Sequence, residues 1–444
     1  MKNVSHPDDG FSGCESDYRP LASQSGATAS NSTCMDFIMS PPAAAGTARL
    51  AVLLGLITLV GSASIDMYLP FIPAMAQEVG TDYASMQITL MVFLIATGAG
   101  QLVFGPLIDA VGRRVPLLVA LVVFVLASMG ASMAGSLNGL IFARIIQGLA
   151  CATALVTAFS TVRDVATEAK AAQLFALLMT IQGLGPVIMP AVGGVVGSLF
   201  DWRAIFVTLA LLGAVVFMTS LLGLRETLPK AQRTPFRPRA IWGSYADIMQ
   251  DRSFVLAGLA LTLAYVFIFA YVGGASHVDQ AGFGISAQTF GFIFGATGVA
   301  VFVGAVGSAK LVSMIKVQHI AFASTVLMVA GSTVAVSGLW SPIGLAGIVA
   351  GMFIALMGLG AAEATLMSIA LSTRTTAIGT SAALLGAVPL CVGALATPVS
   401  AYLAEMCAMA WLFMLIVSGS ASAVLACASA RKVTRAGITV SLQH

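Results

Sequence analysis

The stretch Gly100-Gln101-Leu102-Val103-Phe104-Gly105-Pro106-Leu107-Ile108-Asp109-Ala110-Val111-Gly112-Arg113-Arg114 lies between two long apolar runs. It gathers glycines, a proline, an acid and an arginine pair. An apolar run is not expected to continue through such a cluster, so the chain is predicted to leave an apolar solvent here. Charges packed so tightly at an exit fit a moving joint better than a plain spacer. Asp109 could stabilise a helix N-terminus or pair with an arginine. Gly105 and Gly112 permit a sharp turn and a close helix approach. Topological anchoring alone would explain Arg113 and Arg114 but leaves Asp109 and the spaced glycines without a reason.

The same reading extends outward. Of 444 residues, 58% are hydrophobic and only 9% are charged, against roughly a quarter charged in a soluble domain. Water is therefore a poor solvent for this chain and a bilayer a good one. In lipid the backbone must satisfy itself, which leaves helices or a closed barrel. The apolar runs are continuous and about twice the roughly ten residues of a barrel strand, so they are helices. The chain is predicted to be an all-α membrane protein with twelve transmembrane helices. They fall near 50–74, 84–107, 115–134, 138–161, 171–198, 203–224, 253–275, 287–308, 319–339, 343–371, 377–402 and 406–429.

The organisation follows from the polar breaks. Residues 1–48 read as a disordered cytoplasmic tail, 49–224 and 253–430 as two pseudo-symmetric six-helix bundles, 225–252 as a cytoplasmic linker, and 431–444 as a second tail. No short apolar core precedes the first span, and Met35 and Met39 are alternative starts. With the N-terminus inside, nearly every Lys and Arg falls on the cytoplasmic side, Arg144 and Arg203 excepted, so both termini are expected there. The linker carries Lys230, Arg233, Arg237 and Arg239 and is expected to hold an amphipathic helix from Ala240 onward. Gln147 to Ala154 in span 4 matches Met357 to Ala364 in span 10, with Asp164 then opposite Arg374. Such duplication, with a site between the halves, is a transporter plan. The six cysteines form no CxxC and read as small buried hydrophobes.

Ionisable groups inside spans are costly and mark function. Three are clear: Asp66, Arg144 and Glu363. Asp66 lies in SIDMYLPFIPAM, about 17 residues above Arg49 or ~25 Å at helical rise, where desolvation favours an acid able to exchange a proton. The competing reading is a headgroup-level acid capping the helix before Pro70. Arg144 lies ~10 Å from the other end of span 4, with Gln147 and Cys151 on the same face. It is expected to line the cavity and tune Asp66, or else to snorkel to the surface. Glu363, ~16 Å from Arg374, is a second proton site, a counter-charge for a cationic substrate, or a buried neutral acid. Tyr265, Phe267, Phe269 and Tyr271 cluster in span 7 and would suit an aromatic ligand, although packing accounts for most such clusters. His277 and His319 read as solvated. Pro186, Pro190, Gly193 and Gly194 with Gly185 sit in one helix, where proline kinks and glycine packs closely. No Walker sequence, metal-ligand spacing or nucleophile elbow is present, so neither an ATP engine, a cofactor nor a catalytic centre is expected.

These residues carry a resemblance. Gly105, Leu107, Asp109, Gly112, Arg113 and Arg114 fall on the loop signature of the major facilitator superfamily, with Ala110 where a basic residue is common. Arg144, Gln147 and Gly148 resemble the span 4 signature of proton-coupled exporters. Pro186, Pro190, Gly193 and Gly194 are similar to the span 5 antiporter signature in a loosened order. Asp66-Met67-Tyr68-Leu69-Pro70, Thr161-Val162-Arg163-Asp164, Trp202 to Phe206 and Glu226-Thr227-Leu228-Pro229 resemble the bicyclomycin- and chloramphenicol-resistance (Bcr/CflA) branch. The C-terminal counterpart of the opening loop, near Gly307 to Lys316, lacks the acid and the glycine-arginine run.

The resemblance implies a twelve-span drug:proton antiporter of the bacterial inner membrane. Spans 1, 4, 7 and 10 would line its cavity, with Asp66, Arg144 and Glu363 coupling protons. Tyr68, Gln147, Cys151, Tyr265, Phe269 and Tyr271 would meet the drug. Gly105, Asp109, Gly112, Arg113, Arg114, Arg163 and Asp164 would form a conformational latch. The expected partners are a small-molecule drug, protons and the bilayer, with no nucleic acid, and the expected state is a monomer. A metabolite transporter of the same fold remains open. A membrane sensor or enzyme would need a signalling domain or a polar catalytic cluster, and the sequence offers neither.

Overall fold

A computed structural model describes residues 45–166, 168–342, 344–373 and 378–435. The tail up to residue 44, Arg374 and the last nine residues fall outside them.

Among the described residues, twelve helices are long and apolar enough to cross a membrane: Arg49–Val79, Tyr83–Val111, Arg114–Ser132, Leu137–Val165, Gln173–Phe200, Trp202–Gly223, Arg252–Gly282, Ala287–Leu311, Val317–Leu339, Leu345–Ser372, Gly379–Met406 and Ala408–Ala430. They are numbered spans 1–12. Spans 1–6 and 7–12 are called the N- and C-terminal halves for description. Their starts are set by short polar side chains that take up the orphan N–H groups of a first turn. Asp82 accepts from Ser85, Ser136 from Gly139 and Ser286 from Thr289.

Four boundaries differ most from the sequence reading. Span 2 does not end at residue 107. Its helix runs through Pro106 and Asp109 to Val111, because the polar cluster closes its own charges locally. Gly112 then turns the chain at φ 113°. Span 1 is longer and broken: the helix stops at Asp66, a short 3-10 turn occupies Leu69–Phe71, and Ile72–Val79 completes the span. Span 7 continues past His277 into a π-helical turn, Val278–Gly282. The last helix also persists to Arg435, beyond the expected boundary at 430. The linker helix is Pro238–Met249. Its Tyr245 hydroxyl donates to the Leu102 carbonyl at 3.2 Å, docking the linker on span 2.

Where the halves meet, small residues remove the side chain that would hold helices apart. A Cβ on Gly98 of span 2 would lie 2.5 Å from the Cys391 sulfur of span 11. On span 8, Cβ atoms at Gly291, Gly295 and Gly298 would meet the carbonyls of Pro190, Val187 and Pro186 at 2.4, 2.4 and 2.9 Å. The proline-glycine stretch of span 5 is therefore one side of a glycine-lined seam with span 8.

Candidate functional site

The break in span 1 is where the motifs of three spans converge. The α-helix ends at Asp66, leaving carbonyls of its last turn without helical partners. Arg144 of span 4 supplies one partner: Nη2 donates to the Ser64 carbonyl at 2.9 Å. Its Nη1 donates to the Gln147 side-chain oxygen at 2.7 Å, and Nε reaches the Thr89 carbonyl at 3.5 Å. The guanidinium is sandwiched between the Tyr68 and Phe93 rings, 4.4 and 4.2 Å from their centroids. A cation in such a slot is held by the ring faces as well as by hydrogen bonds. On the other side of the break, a Cβ on Gly193 of span 5 would fall 1.8 Å from the Met67 carbonyl oxygen. Only glycine lets span 5 approach so closely.

Asp66 itself is 5% exposed. Among the described residues it forms no ion pair, and neither Arg144 nor Glu363 does. The expected tuning of Asp66 by Arg144 is thus not a direct pairing in this state; Arg144 instead holds the backbone two residues before the acid. Glu363 is half-buried in span 10, within electrostatic range of Tyr265.

The expected cavity face of span 4 points elsewhere. Gln147 is fully buried, its amide nitrogen donating to Ser128 of span 3 at 2.7 Å, and Cys151 is buried as well. Both belong to the interior of the N-terminal half, because Arg144 needs their polar neighbourhood once its charge leaves water. Tyr68 is likewise enclosed, under Arg144. Tyr271 stacks on Phe294 at 5.3 Å and shares a hydrogen bond with Thr297, inside the C-terminal half. Phe269 packs against Gly393 of span 11, and Tyr265, beside it, is half-buried. Of the aromatic candidates, Tyr265 lies within electrostatic range of Glu363 and Tyr271 within that of Asp279.

The opening loop is an ionic cluster. Arg113, 5% exposed, pairs with Asp109 one turn earlier and with Asp164 at the end of span 4, 3.0 Å away. Asp164 also accepts from Thr227 at 3.1 Å. Glu226, which follows span 6, accepts from the backbone N–H groups of Arg113 and Leu228 at 2.9 and 3.1 Å, and faces Arg233 at 3.8 Å. A Cβ on Gly112 would collide with that carboxylate at 2.6 Å. Burial disfavours the Arg113 charge, but Asp164 and Asp109 outweigh it and hold the group above its ordinary value. Partial burial likewise favours the neutral form of Glu226, and the backbone donors with Arg233 outweigh it, holding the carboxyl below its usual 4.5.

Not every expected latch side chain joins this cluster. The Arg114 backbone N–H donates to Glu226 at 3.3 Å, but its guanidinium donates to the Leu221 carbonyl at 2.9 Å, and Arg163 to Ser160 on its own helix at 3.1 Å. At Gly105 a Cβ would make ordinary contact with Val156 at 3.7 Å, so the close approach lies at Gly100, against Ala152. Glu226 was read from sequence only as part of a resemblance; its role as acceptor for a loop 113 residues away depends on tertiary contact. His277, expected in solvent, is half-buried with its ring 5.0 Å from Tyr83, whereas His319 is exposed. Cys407 is exposed rather than buried.

A family model described as Major Facilitator Superfamily matches residues 54–388. The chain belongs to the Major Facilitator Superfamily. Within it, the chain is 31% identical over 353 residues to the uncharacterized MFS-type transporter YdgK of Bacillus subtilis, covering 79% of this chain and 87% of that protein. It is 27% identical to the multidrug resistance protein MdtL of Shewanella oneidensis, over 74% of this chain and 83% of that one. A chloramphenicol resistance protein of Pseudomonas aeruginosa is 37% identical, over 37% and 39% of the two chains. Among solved structures, a bacterial homologue of the human lysosomal transporter Spinster superposes with TM-score 0.68 at 13% identity, covering 88% of this chain and 96% of that one. The D-xylose-proton symporter superposes with TM-score 0.62 at 14% identity, covering 87% and 96%. The twelve-span fold is therefore that of the superfamily's transporters, and the protein is a multi-pass membrane protein of that family.

Proposed function

We propose that this protein is a drug:proton antiporter of the Bcr/CflA type, exporting phenicol-, bicyclomycin- or multidrug-class compounds across the bacterial inner membrane, with both termini cytoplasmic. The observation that carries the reading is the break in span 1. A carboxyl group stands at the end of a helix, where the helix dipole and burial both disfavour its charge. Arg144 and Gly193, from the spans whose sequences resemble exporter and antiporter signatures, fix the backbone on either side of it. Such an acid changes protonation when its surroundings change, which is what coupling requires.

The cycle needs one such site. Drug and proton favour opposite states, each shifting the equilibrium by its differential affinity. Drug enters from the cytoplasm or inner leaflet while Asp66 releases its proton, the halves rock, drug leaves, and an outside proton resets the acid. Glu363 and Tyr265 supply a further acid and an aromatic surface suited to lipophilic or cationic compounds.

The test is expression in an efflux-deficient bacterium with a drug panel, with and without a protonophore, alongside proton flux in proteoliposomes. Asp66→Asn is expected to abolish drug-stimulated proton exchange and resistance. Unchanged resistance and coupling in that variant would refute the assignment.

A further inference from the structure

Asp279 has no part in the cycle above. It lies in the π-helical turn Val278–Gly282 that completes span 7, is 5% exposed, and its side chain makes no hydrogen bond or ion pair with any described residue. π-turns inside helices are uncommon and concentrate at functional sites.

Its turn sits on the seam between the halves. Gln280, the next residue, donates from Nε2 to the Pro70 carbonyl at 2.8 Å and to Ser276 Oγ at 2.8 Å. Ser276 Oγ donates to the Leu69 carbonyl at 3.0 Å. Both carbonyls belong to the 3-10 turn in the broken part of span 1. One turn earlier, the Gly273 carbonyl accepts from Tyr83 Oη at 2.8 Å and Gln87 Nε2 at 3.1 Å, both on span 2. Glu405 of span 11 accepts from the Tyr83 backbone N–H at 3.0 Å. The end of span 7 is thus stitched to spans 1 and 2 across the halves.

No cation offsets Asp279 there. On its own helix the nearby titratable groups are Tyr271, within electrostatic range, and His277, which lies against Tyr83. Span 8, packed against the turn, brings no ionisable side chain before Lys310 in its last turn. Span 2 brings Tyr83, and span 11 brings the exposed Glu405. An ionised carboxylate so nearly buried, without a partner, is costly, whereas the neutral acid is tolerated.

We propose that Asp279 is a second proton-binding site, whose protonation holds the span 1–span 7 seam shut and whose ionisation opens it. The proposal rests on the transporter reading, since it gives the seam a cycle in which to open. Because the closed seam admits the protonated acid, proton binding favours closure and rising pH favours opening. The closed-to-open ratio falls with pH by up to about tenfold per unit, the limit for one proton.

The experiment uses the full chain in nanodiscs, with nitroxide labels on the exposed native Cys407 and on Asn138→Cys, the other cysteines being replaced. Both positions lie at the end of the bundle that carries the seam. Pulsed electron resonance then reads their separation across a pH series. Wild type is expected to pass from short to long distances as pH rises, and Asp279→Asn to stay short throughout. Asp66→Asn is expected to keep the pH-driven change while losing drug-stimulated proton exchange, so the two readings fail separately. A wild type without pH dependence, or an Asp279→Asn profile equal to that of wild type, overturns the proposal. If Asp279→Asn does not fold, Asp279→Glu decides: its transition is expected to persist at a displaced midpoint, and a midpoint coincident with that of wild type overturns the assignment.

Discussion

The two halves differ in what is added to close helix packing. Every ion pair between described residues lies between Glu78 and Arg233, in the N-terminal half and the start of the linker. The C-terminal half relies on backbone proximity together with neutral hydrogen bonds such as Trp411 to the Ala270 carbonyl. A Cβ on Gly304 of span 8 would fall 1.9 Å from the Met357 carbonyl oxygen of span 10, and one on Gly360 2.0 Å from that of Val301. Gly331 and Gly351 let spans 9 and 10 touch in the same way. Without a hydrophobic drive between helices in lipid, packing and polar contacts must supply the attraction. The N-terminal half adds charge pairs, which can exchange partners as groups move, to close contacts such as Gly193 on Met67. The C-terminal half has the close fit without an ion pair among the described residues, and close fit cannot change without separating whole helices.

That contrast can be broken most severely on the close-packed side. Gly304→Val should abolish the C-terminal half, because the clash is with backbone and no rotamer relieves it; overpacking of this kind costs about 3 kcal/mol or more. The expected readout is loss of monodisperse protein in detergent, and a well-folded variant would contradict the packing account. On the ionic side, Arg113→Ala leaves Asp164, and in part Asp109, without a cation. The expected loss is about 2–3 kcal/mol, reduced from a fully buried pair by the exposure of Asp109. Thermal unfolding followed separately in the two halves should register it in spans 1–6 alone.

The smallest effect is with pH. The folded state holds Glu226 below its usual 4.5. Its stabilisation is therefore present above that value and is lost as pH falls through the depressed folded value. The N-terminal half should soften under acid by this route, and Glu226→Gln should remove that part of the pH dependence. An acid sensitivity that Glu226→Gln leaves intact would place its origin elsewhere.

Much of the fold was legible because lipid imposes length and composition on each span. The polar breaks were placed within a few residues for most spans. The break after Asp66 falls inside a run that reads as one continuous span, and the π-turn after His277 looks, in sequence, like a helix end. Asp279 was missed for that reason, since a span judged to stop at 275 leaves it in solvent. The spacing Gly291, Gly295 and Gly298 did carry a readable signal for a close helix contact. The proline-glycine stretch of span 5 likewise reads as kinked and closely packed, but that span 8 is its partner is visible only in the fold.

The sequence by itself determined the solvent, the number of spans, the family signatures and the importance of the stretch from Gly100 to Arg114, because charge and apolar length act locally along a chain. Tertiary structure alone decided which charges meet. Arg144 turned inward to the Ser64 carbonyl rather than toward Asp66, and Arg113 chose Asp109 and Asp164 while Arg114 and Arg163 went elsewhere. Those choices depend on which helices come within hydrogen-bond reach, and in this chain that distance is set by glycines whose missing side chains matter only once two backbones face each other.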